Sequence, residues 1–137
     1  MNIGSFLLDG EPCYGVFSGE TAIPASSDFI KVFRTLRDVL DADAVAALRQ
    51  DTDHDRHVPL TEIRFLPPIP NPRKIICVGM NYRKPYPVDG VAPPDPDNII
   101  LFGKEREAML AHGEALEIPA GDAAKSFDYE GEIAVII

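Results

Sequence analysis

Residues 127–137 read Phe127-Asp-Tyr-Glu-Gly-Glu-Ile-Ala-Val-Ile-Ile137, and the reading of this stretch decides the fold. Its β-branched residues, entered from the polar segment Gly121–Ser126, predict a β-strand. Side chains alternate along a strand, so Asp128, Glu130 and Glu132 share one face. Ile133, Val135 and Ile137 line the other. Residues two apart lie about 6.6 Å from one another at the Cα, close enough for two carboxylates to meet one cation. Three acids side by side repel unless something positive neutralises them. Two readings compete: a solvated strand face, and a carboxylate site for a cation.

The chain has 137 residues, room for one domain or for a small domain with part of another. Hydrophobic residues make up 45% and charged residues 26%, a globular balance. The net charge of −9 is evenly spread: residues 1–70 carry 6 Lys/Arg against 11 Asp/Glu, and residues 71–137 carry 7 against 11. Without a basic patch, nucleic acid is not the expected partner. Cys13 and Cys77 lie far apart and outside any metal-ligand spacing, and Cys77, within the apolar run 75–78, reads as a buried, inert thiol. The start, MNIGSFLLDGEP, lacks a basic leader region, and no stretch is long enough to span a membrane, so a cytoplasmic, reduced protein is expected.

Outward from residues 127–137, the chain divides at the run PPIPNP, Pro67–Pro72, which is stiff and poor in amide donors. Residues 1–66 form the expected N-terminal region, 67–73 a linker, and 74–137 a second, β-rich unit. Within the first, Ile3–Leu8 and Pro12–Phe17 flank Asp9-Gly10, a hairpin signal. Ser18-Gly19 turns the chain again towards Glu20–Ile23, and Phe29–Phe33 reads as extended. Thr35 and Asp38 start a capping box before the helical stripe Leu36, Val39, Leu40. Asp43 is placed as the cap of a second turn of helix carrying Ala44, Ala47 and Leu48. Residues 51–57 are a polar loop in which His54 and His57 stand beside three aspartates, either as a metal site or as solvated side chains. Val58–Leu66 reads as one strand.

In the second unit, the continuous apolar run Lys74–Met80 predicts a strand buried on both faces. Asn81-Tyr82-Arg83 follows at its exit, then a proline-rich loop over residues 84–97. Ile99–Phe102 is a further strand, leading into Gly103-Lys104. GKERE is not a phosphate-binding loop, because the upstream glycine and the Ser or Thr after Lys104 are missing. Glu114–Pro119 reads as one more strand.

Taken together, Pro70–Pro72, KIICVGMNY at Lys74–Tyr82, LFGK at Leu101–Lys104, Gly113 with Ile118-Pro119, and DYEGEIAVII at Asp128–Ile137 resemble the fumarylacetoacetate hydrolase family in order and spacing. The first 70 residues resemble the small N-terminal region of its two-part members. The resemblance implies a β-rich α+β fold, a β-meander with short helices followed by a mixed β-roll. It implies a Mg²⁺- or Mn²⁺-dependent enzyme, a homo-oligomer, acting on a small 2-oxo or 2,4-dioxo acid by C–C hydrolysis, decarboxylation or isomerisation. Glu130 and Glu132 correspond to metal ligands and Lys104 to an active-site lysine. Asp128 shares their face, and Tyr82 and Arg83 stand at the strand exit as further candidates.

The chain departs from the family in two places. Many members carry a water-activating histidine in an N-Y-x-x-H pattern, and that position is Pro85 here. Loss of a general base costs about 10²–10⁴ in rate, which favours tautomerisation or decarboxylation over hydrolysis. The family's third metal ligand is an aspartate beyond this strand. Ending on the apolar Ala134–Ile137, the chain reads as a shortened form, expected to self-associate and to be weakly active by itself. The alternatives are a non-catalytic remnant or interaction protein that retains the scaffold, and a structural metal-binding protein.

Overall fold

Asp9 and Gly10 both take positive φ, 55° and 85°, and Leu8 pairs directly with Glu11. A two-residue loop with both central residues left-handed is a type I′ turn, whose twist matches that of the strands it joins. This turn connects β1 (Asn2–Leu8) to β2 (Glu11–Ser18). The computed structural model describes residues 2–52, 55–79, 98–128 and 131–137. They group into two units, Met1–Pro70 with Leu110–Ile137, and Asn71–Met109.

In the first unit β3 (Thr21–Pro24) extends the meander. Two short segments, β4 (Val58–Pro59) and β5 (Arg64–Phe65), close its sides. The result is a five-stranded antiparallel sheet in the order β4-β3-β2-β1-β5. Alternation along the strands builds two cores. Phe6, Leu8, Ala22 and Val58 pack on one face, with Cys13 and Phe17 beside them. Tyr14 and Ala25 point to the other, where Phe29, Leu36, Val39, Leu48 and Ile69 cover them. Gly15 is required where β2 passes β3: a Cβ there would lie 2.1 Å from the Ile23 carbonyl oxygen.

Three helices supply the second core: α1 (Ser27–Val32), α2 (Leu36–Asp41) and α3 (Val45–Gln50). The extended reading of Phe29–Phe33 is therefore corrected. Ser26 caps α1 by accepting the Phe29 amide, and Phe29 is buried by the helix's inner face. The Thr35 capping box forms in both directions: its hydroxyl accepts from the Asp38 amide, and the Asp38 carboxylate accepts from the Thr35 amide. Asp43 does not cap α3. It takes a left-handed φ of 51°, and Ala44 precedes the helix without a side-chain bond. Val58–Leu66 is not one strand, because a 3₁₀ turn at Leu60–Glu62 separates β4 from β5 and carries the chain from one edge of the sheet to the other.

The second unit holds β6 (Ile76–Gly79) and β7 (Ile100–Gly103), paired antiparallel. Burial on both faces, expected for the run Lys74–Met80, does not hold among the described residues. Ile76 is 62% and Val78 44% exposed, and Cys77 is half-buried. Among the described residues, a two-stranded pair leaves its faces uncovered. Across both units the protein is β-rich α+β.

Candidate functional site

Lys104 follows β7 directly. Leu101, Phe102 and Gly103 pair with Val78, Cys77 and Ile76, and the Lys104 amide continues this ladder by donating to the Ile75 carbonyl at 3.1 Å. The backbone of Lys104 is thus fixed by strand pairing, while its side chain is exposed. A primary ammonium held this way can meet a carboxylate without moving the main chain.

Asp128 and Glu132 belong to the first unit. The chain reaches Asp128 through a 3₁₀ helix at Gly121–Lys125, in which Lys125 pairs with Asp122 at 2.6 Å. Gly121 enters it with a φ of 71°. Asp128 and Glu132 are exposed. Tyr82, Arg83, Pro85, Asp89, His54 and Glu130 lie outside the described residues.

The strand expected over Phe127–Ile137 is not present among its described residues. Ile133 is 94% and Val135 78% exposed. β-Propensity expresses packing against neighbouring strands, and neither sheet includes this stretch. The alternation that would align Asp128 with Glu132 is therefore absent. Nor do the described residues of Glu114–Pro119 form a strand, and Leu116 and Ile118 are exposed. The described residues also contain no group of three His, Cys, Asp or Glu side chains able to hold a metal ion. The donor chemistry of Asp128 and Glu132 suits a hard cation such as Mg²⁺ or Mn²⁺, since both offer carboxylate oxygens. Two such donors do not make a closed set.

Comparison with known proteins finds a likeness in the second half of the chain. The model of the fumarylacetoacetate (FAA) hydrolase C-terminal domain matches residues 74–137, the segment that carries Lys104, Asp128, Glu130 and Glu132. Residues 74–137 are thus similar to the C-terminal domain of the fumarylacetoacetate hydrolase family. Among similar proteins, an uncharacterized protein of Archaeoglobus fulgidus is 41% identical over 80 residues, covering 58% of this chain and 30% of the relative. Oxaloacetate tautomerase YisK of Bacillus subtilis is 35% identical over 79 residues, 57% of this chain and 26% of the relative. A mitochondrial oxaloacetate tautomerase of Xenopus laevis is 32% identical over 95 residues, 69% of this chain and 28% of the relative. The chain spans less than a third of the length of these relatives. No solved structure matches it.

Proposed function

We propose that this protein acts as a divalent-metal-dependent enzyme on a small 2-oxo acid, and that its reaction is the keto–enol tautomerisation of oxaloacetate. The observation that carries this reading is the family match over residues 74–137, in which a lysine and the D-x-E-x-E carboxylates occur together. The tautomerase names of the similar proteins in Bacillus subtilis and Xenopus laevis support the reaction. Tautomerisation also suits the residues. It moves one proton between C3 and the carbonyl oxygen and needs no activated water, so Pro85 at the family's histidine position does not oppose it. Decarboxylation shares that property, and hydrolysis does not.

Glu130 and Glu132, with Asp128, would hold Mg²⁺ or Mn²⁺. A cation there would supply Lewis-acid polarisation of the 2-oxo group. Lys104 would receive a substrate carboxylate as a charge-assisted partner. Tyr82 and Arg83 stand next in line for the same substrate. Residues 67–73 would link an N-terminal region, 1–66, to a catalytic β-roll that includes 74–137, working as a homo-oligomer. Among the described residues no helix is long and apolar enough to cross a membrane. A cytoplasmic location is proposed, while some similar proteins are named as mitochondrial.

Pro85 at the histidine position favours one other reading, a non-catalytic protein that retains the scaffold. The deciding experiment follows enol-oxaloacetate decay with Mg²⁺ or Mn²⁺, in the wild type and in a Glu130→Gln/Glu132→Gln double variant. Mn²⁺ binding is measured by water proton relaxation on the same samples. Metal-dependent decay and Mn²⁺ binding that both disappear in the double variant support the enzyme. Equal relaxation in the two proteins removes the metal site, and decay no faster than in buffer favours the non-catalytic reading.

A further inference from the structure

Residues from two distant parts of the chain meet at the β5 edge of the first sheet. The Glu114 carboxylate accepts from the Ala111 amide at 2.9 Å with one oxygen and from Arg64 Nη2 at 2.6 Å with the other. The Glu114 amide returns a hydrogen bond to the Ala111 carbonyl at 3.2 Å, and Gly113 makes the turn with a φ of 85°. Beside it the His112 ring meets Phe65 edge-to-face, with centroids 5.1 Å apart. Phe65 in turn packs on Phe17, within the sheet. Ala111 is buried, at 7% exposure. Arg64 and Glu114 are 50 residues apart in sequence, and the turn lies in the family-matched segment while β5 precedes it.

An exposed ion pair alone contributes little. Here one carboxylate closes its own turn and binds the sheet edge, and an aromatic contact seats the adjacent residue. We propose that Arg64, Phe65, His112 and Glu114 form an acid-released clasp that holds the turn at residues 111–114 onto the N-terminal sheet. The Ala111 amide first, and Arg64 after it, hold the Glu114 carboxyl below the usual carboxylate range. A depressed carboxyl supports the closed form above its ordinary pKa, and that support is lost as pH falls through the lower, folded value. Among the described residues, Arg64 from β5 and His112 on the turn itself are the charged and titratable groups shown in contact at the clasp. Arginine keeps its charge throughout, so protonation of Glu114 removes the pairing.

The test is an NMR titration of the labelled full chain from neutral pH downward. It follows the Ala111 amide proton, the nuclear Overhauser contact between the Phe65 and His112 rings, and core resonances of Phe6 and Leu48. The clasp predicts that the Ala111 shift and the ring contact are lost in one step, below the ordinary carboxylate range, while the core resonances remain. In Arg64→Gln the same step moves to higher pH. In Glu114→Ala the ring contact is already absent at neutral pH. Three results would overturn the clasp: a ring contact that outlasts the Ala111 titration, a step unmoved in Arg64→Gln, or loss of the ring contact only together with the core.

Discussion

Tyr14 donates its phenolic hydrogen bond to the carbonyl of Phe33, nineteen residues further on, and so ties strand β2 to the residue that ends helix α1. The ring is buried among the residues of the helical core, and the Phe29 and Phe33 rings pack tilted at 45° with centroids 4.9 Å apart. The bond satisfies a polar tip in an apolar setting, and it sets the distance between sheet and helix.

Tyr14→Phe removes the hydroxyl and leaves the ring. The expected loss is about 1–3 kcal/mol by urea denaturation, because the Phe33 carbonyl loses its partner. The pH profile provides a second readout. Burial first, then Cys13, Asp38 and Asp51, push the Tyr14 hydroxyl up from 10.0 to about 12. The neutral form is the one the fold holds, so its contribution is complete below pH 10.0 and declines as pH rises towards about 12. The Phe variant should lack that decline.

Gly15→Ala places a methyl group 2.1 Å from the Ile23 carbonyl oxygen, a backbone atom that cannot rotate away. Strands β2 and β3 must separate locally. A destabilisation of about 1–3 kcal/mol is expected from thermal unfolding, the usual range for overpacking.

Thr35→Ala removes the hydroxyl that accepts the Asp38 amide and leaves the opening of α2 half-capped. Stability should fall by about 0.5–2 kcal/mol, and Thr35→Ser should recover most of it. Paired chemical denaturation curves check both.

Lys104→Met keeps the backbone bond to Ile75 and so should leave the circular dichroism spectrum unchanged. If Lys104 receives the substrate carboxylate, loss of a charge-assisted bond lowers kcat/KM about 10- to 100-fold. Unchanged kinetics on oxaloacetate would remove Lys104 from the proposed site.

Local chemistry made part of this protein legible from its residues alone. Asp9-Gly10 is a turn because those two residue types accept positive φ, and the alternating strands beside it share that register. Thr35 and Asp38 cap a helix because both bonds form within four residues. The family resemblance of residues 74–137 was legible for a related reason: its motifs are residue types at fixed spacing, and spacing survives without coordinates.

Tertiary contact decided the rest. Phe29 belongs to a helix because the sheet offers Tyr14 and Ala25 as a surface for its inner face, a contact invisible in the run Phe29–Phe33. Val58–Leu66 splits because its ends pair at opposite edges of one sheet. The apolar residues of Phe127–Ile137 have strand composition, yet a strand exists only where another supplies its hydrogen bonds, and no described strand does so here. Arg64 finds Glu114 across 50 residues, a pairing that no local pattern encodes. Short-range bonds are written in neighbouring residues, whereas burial and strand pairing depend on which distant surfaces the folded chain brings together.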